Sequence, residues 1–172
     1  MKDIFDLAIR LLLRHEGGFV NNPKDPGGMT NLGVTKRSWE AHKGHSVTEA
    51  DMRALTPAAV QTFYKRRYWD AINGDDLPKG VDFCLFDTCV NSGPKRAVLL
   101  LQAVLGVTQD GVLGPATLKA VSLWPAKDLI TQYSAARLSF MRSLPTWDTF
   151  GKGWKKRVYE VEDEAITFAK AG

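Results

Sequence analysis

Apolar residues recur at helical spacing along most of the chain, and this pattern predicts a mainly α-helical protein. The first helix is predicted over residues 4–15, with Asp3 as its cap and Gly17 and Gly18 as its stop. Its apolar face consists of Phe5, Ile9, Leu12 and Leu13. Further helices are predicted over residues 49–55, 57–71, 82–91, 95–105 and 155–169, with two more beginning at Pro115 and Pro125.

Local signals mark several of the helix ends. Ser46 and Glu49 have the spacing of a capping box, and Thr56 precedes a proline at the first helical position. Gly106 is placed to stop the helix over residues 95–105. Only residues 19–20 and 32–34 look extended, so the sequence predicts one short, irregular β-hairpin after the first helix.

Length and composition describe a globular protein. The chain has 172 residues, enough for one domain or two very small ones, and 44% of them are hydrophobic. A net charge of +4 favours an anionic partner such as nucleic acid, a membrane surface or the bacterial cell wall, or reflects a plain excess of surface lysine. The basic residues are scattered rather than striped, which argues against nucleic acid.

The N-terminal stretch is apolar but carries no targeting pattern. Asp6 and Arg10 interrupt it, and no small-residue cleavage site follows. No run approaches the roughly 20 apolar residues of a membrane span. We therefore expect synthesis in the cytoplasm without a signal peptide, and no stable membrane insertion.

The two cysteines, Cys84 and Cys89, fall on one predicted helix. Five residues turn roughly 140° around a helix axis, so the thiols point apart and a disulfide between them is not expected. We predict reduced, buried thiols. Neither cysteine has a metal-ligand spacing with histidine, and no metal or cofactor is predicted.

One acidic residue lies where an apolar one is expected. Glu16 falls on the apolar face of the first helix, three and four residues after Leu13 and Leu12, at the negative end of the helix dipole. Both surroundings disfavour a carboxylate, so we expect a raised pKa for Glu16, as general-acid catalysis requires. The alternative is a solvated glutamate in a frayed last turn.

The stretch "EGGFVNNPKDPGGMTNLGVT" closely resembles the signature of glycoside hydrolase family 108, bacterial and phage lysozyme-like muramidases. Asn22 stands where that pattern often has aspartate. The resemblance implies a mainly α, lysozyme-like fold that cleaves the β-1,4 bond between N-acetylmuramic acid and N-acetylglucosamine. It also implies that Glu16 is the catalytic acid.

The second half of the chain is similar to the peptidoglycan-binding segment commonly joined to this family. The similarity lies in Leu101-Gln102, Asp110-Gly111, Gly114-Pro115 and Thr117. "FGKGWKKR", around Trp154, also resembles the family's C-terminal stretch. We therefore expect a catalytic part over residues 1–90 and a helical peptidoglycan-binding part over residues 91–172, packed as one unit.

Glycoside hydrolysis commonly uses two carboxylates. Asp25 is the first candidate for the second one: a similarity to phage-type lysozymes implies that it stabilises positive charge on the sugar or, with Thr30, holds the attacking water. Otherwise Asp25 organises the turn. Asp87 is the other candidate: with Asn91 on the same helix face, it either contacts substrate or braces the first helix.

Aromatic side chains stack on sugar faces, so Trp39, Tyr64 and Trp69 either line a substrate groove or belong to the core. Lys36, Arg37, Lys65, Arg66 and Arg67 are placed to meet an anionic polymer or simply form solvated helix faces.

The leading hypothesis is a monomeric muramidase acting on peptidoglycan in the periplasm, as a phage endolysin released through a holin pore. A lytic transglycosylase is the nearest alternative, and a non-catalytic wall-binding protein is the alternative from another class.

Overall fold

The helical periodicity of the sequence is realised as nine α-helices in the part of the chain that the computed structural model describes, residues 2–24 and 28–171. A small antiparallel sheet follows the first helix. The prediction of a mainly α fold is therefore confirmed. Contacts between residues divide the chain into two units, Met1–Arg67 and Tyr68–Gly172.

The first unit is built around the packing of helix α1 on helix α4. Its elements are α1 (Lys2–His15), β1 (Val20–Asn21), β2 (Met29–Asn31), β3 (Val34–Thr35), α2 (Lys36–Lys43), α3 (Glu49–Arg53) and α4 (Pro57–Tyr64). Helix α1 begins at Lys2, so Asp3 lies inside the helix and not at its cap. Ile9 and Leu12 of α1 are buried together with Val60 of α4, while Leu13 is only half-buried.

The predicted hairpin is a three-stranded sheet with the order β1-β2-β3. Val20 pairs with Thr30, and Asn31 pairs with Val34. The two residues between β2 and β3, Leu32 and Gly33, have φ angles of 50° and 73°. Positive φ at both central residues is the pattern of a type I′ turn, whose twist matches that of the paired strands.

The helix caps of this unit confirm some of the caps predicted from the sequence and correct others. Thr56 caps α4 through the backbone N–H of Ala59, with Pro57 at the first position, as predicted. The capping box predicted for Ser46 and Glu49 is wrong, because Thr48 and Asp51 form it. Helix α2, which the apolar pattern did not predict, is capped by Thr35.

The second unit surrounds helix α5. Its helices are α5 (Val81–Ser92), α6 (Pro94–Leu105), α7 (Pro115–Ser122), α8 (Ala126–Arg142) and α9 (Trp147–Lys170). Before α5, the chain passes through one π-helical turn and two 3-10 turns, which end at Asp76. Nine consecutive residues of α5, from Val81 to Cys89, are buried, and α6, α8 and α9 pack around it.

Cys84 and Cys89 lie on α5 as free, buried thiols, which confirms the prediction. Burial raises the pKa of both thiols to about 12, so they are protonated at neutral pH. None of the helices in the described ranges combines the length and apolar character that crossing a membrane would need.

A buried glutamine holds the loop between α6 and α7. Nε2 of Gln102 donates hydrogen bonds to Asp110 Oδ1 at 2.7 Å, to the Val112 carbonyl at 3.0 Å and to Thr117 Oγ1 at 3.2 Å. Its Oε1 accepts a bond from the Gly111 N–H at 2.9 Å. The Leu-Gln, Asp-Gly and Gly-Pro-x-Thr motifs therefore contain the residues that close this loop.

Candidate active site

Glu16 lies directly after the last residue of α1, His15. It follows the buried Leu12 by four residues, so it continues the buried side of the helix. Its side chain is half-buried, while Gly17 and Gly18 are exposed. A Cβ atom added to either glycine would meet nothing within 4 Å, so there is open space at both positions that follow Glu16.

The turn between β2 and β3 lies against Glu16 because residue 33 is a glycine. A Cβ atom on Gly33 would lie 2.7 Å from Glu16 Oε2 and 2.5 Å from Tyr64 Oη, closer than real Cβ contacts allow. The φ of 73° at Gly33 also disfavours any other residue. Gly33 therefore has both a conformational and a steric reason to be glycine, and it brings the Glu16 carboxylate and the Tyr64 hydroxyl close together.

Two hydrogen bonds fix this turn on either side. The backbone N–H of Leu32 donates to the Gly17 carbonyl at 3.1 Å, and Tyr64 Oη donates to the Leu32 carbonyl at 2.8 Å. Tyr64 is fully buried and packs edge-on against Phe63, with ring centroids 5.5 Å apart. The residue after Glu16 and the end of α4 are thus joined through one β-turn.

Helix α3 supports the sheet. Nδ2 of Asn31 donates to the Met52 carbonyl at 2.9 Å, and the guanidinium of Arg53 lies 3.9 Å from the centroid of the Phe19 ring. Asn31 is buried against α3, so Thr30, its neighbour on β2, faces the other side of the sheet, where it is half-buried. Asp25, the predicted second carboxylate, lies outside the described residues.

Comparisons with known proteins identify the family of the chain. The chain is similar to a solved structure, that of Brucella abortus SagA, at 44% identity and a TM-score of 0.86, covering 98% of this chain and 97% of that one. Residues 9–93 match the family model described as Glycosyl hydrolase 108. The chain belongs to glycosyl hydrolase family 108. No match was found among curated proteins.

Family 108 membership makes the protein a glycoside hydrolase of the lysozyme-like, peptidoglycan-directed kind, which favours an enzyme over a non-catalytic wall-binding protein. The matched residues contain Glu16, Thr30, Gly33 and Tyr64. The match ends at Gly93, so wall binding by residues 91–172 remains a proposal. The chain divides into its two structural units between Arg67 and Tyr68, whereas the predicted functional division lies near residue 90.

Asp87 of the hydrolase is fully buried in the second unit and held by two arginines. Its Oδ2 lies 2.7 Å from Arg137 Nη1, and its Oδ1 lies 2.8 Å from Arg157 Nη2. Burial raises the pKa of Asp87, but the charges of the two guanidinium groups outweigh it, and the net pKa is lowered. The geometry favours a carboxylate that joins α5, α8 and α9 over one that contacts substrate.

The other predicted substrate-binding residues differ in exposure. Trp69 is fully buried in the second unit, where its indole N–H donates to Asp75 Oδ1 at 3.0 Å. Its ring meets Phe86 edge-on, so Trp69 has the core role that the sequence allowed as the alternative. Asn91 is exposed near the end of α5 and remains a predicted contact.

Sequence reasoning missed the partners of the two acidic residues. Gly33 was recognised as part of the family signature, but not as the contact of Glu16. Arg137 and Arg157 were not recognised at all, because they are 50 and 70 residues from Asp87 in the chain. A local signal existed only for Gly33, since Leu-Gly between two short extended segments is compatible with a tight turn.

Proposed function

We propose that the protein is an N-acetylmuramidase in which Glu16 is the general acid for cleaving the β-1,4 bond between N-acetylmuramic acid and N-acetylglucosamine. The observation that carries the proposal is the half-buried Glu16, positioned against Gly33 and Tyr64, within the segment that matches the glycosyl hydrolase family. Gly17 and Gly18 directly after Glu16 are exposed, so this segment of the chain is open to solvent.

In this mechanism the carboxylic acid of Glu16 donates its proton to the glycosidic oxygen as the bond to the anomeric carbon breaks. Positive charge develops on the sugar ring, and water then attacks the anomeric carbon while a carboxylate accepts a proton from it. We assign Asp25 as the second carboxylate, which with Thr30 holds that water or stabilises the charge. Their positions in the sequence, nine and fourteen residues after Glu16, support this assignment.

The experiment compares digestion of purified peptidoglycan by the native protein, by Glu16→Gln and by Glu160→Gln, with the fragments identified by mass spectrometry. Glu160 is an exposed glutamate of α9, so its variant removes the same charge outside residues 9–93, which match the family model. Loss of a general acid should slow fragment release about a hundredfold to ten-thousandfold. Equal release by Glu16→Gln and Glu160→Gln would rule out the assignment.

The same fragments separate the hydrolase from a lytic transglycosylase, in which the sugar's own hydroxyl attacks. Hydrolysis leaves reducing muramic ends, whereas the transglycosylase leaves anhydro ends. We expect reducing ends, because Thr30 and Asp25 offer hydrogen-bond partners for a water molecule. Anhydro ends would replace the muramidase with the transglycosylase and would leave the role of Glu16 intact.

Residues 91–172 are proposed to bind peptidoglycan. Besides their sequence similarity, α9 carries an aromatic surface: the Phe150 ring, 53% exposed, stacks on Trp154 with centroids 5.8 Å apart. Sedimentation with purified wall, in the Glu16→Gln background, compares Phe150→Ala with Tyr159→Ala, another exposed aromatic of α9. Weaker binding of the Phe150 variant alone supports the proposal, and equal binding of both contradicts this surface.

We also propose that the protein acts as a phage endolysin released through a holin pore. This biological role rests on the family resemblance. Expression in a bacterial host, with and without a pore-forming protein for the inner membrane, tests it. We expect lysis only when the pore is present. Lysis without the pore would remove the holin step, and absence of lysis with it would favour a wall-remodelling enzyme over an endolysin.

A further inference from the structure

An open cavity of about 240 Å³ lies on the first unit, beside helix α2 and the end of α4. Its lining consists of Ser38, Ala41, His42, Phe63, Arg66 and Arg67. Neither Glu16 nor Tyr64 contributes to it. The volume is close to the lower end of the roughly 300–1,000 Å³ found for small-molecule pockets, which suits a single small ligand.

Aromatic rings form one side of this cavity. The His42 ring stacks on Trp39 with centroids 5.2 Å apart and meets Phe63 edge-on at 5.5 Å. The guanidinium of Arg67 lies 5.8 Å from the centroid of Phe63. The apolar side of the cavity is therefore formed by rings that pack against one another.

Two guanidinium groups supply its positive charge. Arg66 is exposed, and no carboxylate in the described residues pairs with it. Burial, followed by the charges of Arg66 and Lys43, lowers the pKa of His42. The imidazole is therefore neutral at neutral pH and offers a hydrogen bond and a ring face, while the charge comes from the arginines.

We infer that this cavity binds N-acetylmuramic acid through a lactyl carboxylate that carries no stem peptide, at a position separate from Glu16. The inference rests on the proposed function, because it takes peptidoglycan as the polymer. Guanidinium forks match a carboxylate in two parallel hydrogen bonds. The ring faces of His42 and Phe63 then pack against the sugar, a contact that a free inorganic anion lacks.

Proton NMR of the His42 imidazole in the full-length protein tests this, with its signal assigned by comparison with His42→Gln. The titrants are N-acetylmuramic acid, the neutral N-acetylglucosamine and inorganic phosphate. The variants are Arg66→Gln and, as a charge-matched control, Arg37→Gln, an exposed arginine of α2 outside the cavity lining. Backbone amide spectra show whether each variant is folded.

We expect N-acetylmuramic acid to shift the His42 signal saturably and N-acetylglucosamine to leave it unchanged. Arg66→Gln should weaken the binding about tenfold, as expected for the loss of one charge-assisted contact, while Arg37→Gln stays within about twofold. Equal shifts by both sugars, no effect of Arg66→Gln, or a response to phosphate alone would each overturn the inference.

Failure of this inference is distinguishable from failure of the proposed function. N-acetylmuramic acid contains no glycosidic bond to cleave, so its binding does not depend on Glu16 as an acid. Saturable binding without wall hydrolysis would contradict the muramidase and leave the cavity assigned. Hydrolysis that depends on Glu16, without a shift at His42, would contradict only the cavity.

Discussion

Replacing Asp87 by asparagine should destabilise the protein strongly, because it removes the only negative charge that Arg137 contacts among the ion pairs of the described residues. The Arg137 side chain is 1% exposed and that of Arg157 is 15% exposed, so neither can turn fully into solvent. An asparagine also places an N–H₂ group against one of the guanidinium groups. Removing one partner of a buried ion pair typically costs about 3–5 kcal/mol.

That cost would be a large part of the whole stability, since domains unfold with free energies of about 5–15 kcal/mol. Urea unfolding followed by circular dichroism at pH 7 measures it for Asp87→Asn, with the exposed Asp163→Asn as the control. The control should change the free energy of unfolding by less than about 0.5 kcal/mol. Arg137→Met and the double variant complete a cycle, in which the double variant should lose less than the two single losses together.

One result would refute this reasoning. Suppose that the free energy of unfolding of Asp87→Asn is within about 0.5 kcal/mol of that of the native protein while peptidoglycan digestion falls. Asp87 would then contact substrate, as the sequence allowed. If stability and digestion fall together, digestion should recover at a temperature where the variant is folded.

Three further predictions follow from other contacts. Gly33→Ala should slow peptidoglycan digestion, because the added methyl group would displace Glu16. The control, Gly28→Ala, has a similar φ of 68° and open space around it, so it should cost only about 1–2 kcal/mol of backbone strain. Equal rates of digestion by the two variants would show that Gly33 does not position the acid. Gln102→Leu should lower the free energy of unfolding by about 3 kcal/mol, measured in urea, because it removes four hydrogen bonds; a change below about 1 kcal/mol would contradict the role of Gln102. Burial raises the pKa of Asp82 to about 6, so its folded form binds a proton more tightly than its unfolded form, and stability should fall as pH rises from about 4 to about 6. Relative to the native protein, Asp82→Asn should therefore gain stability over that range, by up to about 3 kcal/mol in urea unfolding, and a pH-independent difference would contradict the shift.

Elements with local signals could be predicted from the sequence. Thr56 before Pro57 and Gly106 after α6 act through their own backbone and nearest neighbours, and both are confirmed. The capping box of α3 was placed at the wrong residues because Ser46 and Thr48 are both suitable caps. Thr48 is the cap that forms, and the Val47 N–H just before it donates to Glu40 Oε1 at 3.0 Å, a contact outside the local segment.

The start of α9 could not be predicted because packing overrides propensity there. Gly151 and Gly153 disfavour a helix, and the prediction therefore began at residue 155 instead of Trp147. A Cβ atom on Gly151 would lie 2.5 Å from the Trp147 ring, so glycine lets that ring pack against the helix. Helix α2 was missed for a related reason: only Trp39 in it is buried, too few residues for an apolar stripe.

In the candidate site, too, only the features with local sequence signals could be predicted. The position of Glu16 on the helix and its family signature are both local to one stretch of chain, and the prediction that it carries catalysis rests on them. The clamp around Asp87 depends on side chains from two distant helices, which no spacing in the sequence reveals. Sequence patterns thus give least information about buried charges whose opposite charges are far away along the chain.

The hydrogen bonds of Gln102 change how the similarity of the second half should be used. The shared residues form the closure of a loop, and that closure consumes the polar groups of Gln102 and Thr117 inside the protein. Another chain with the same residues would inherit the loop and not necessarily a ligand. In engineering, this segment is therefore a transferable scaffold, and its specificity should be sought and altered on the surface residues that surround the loop.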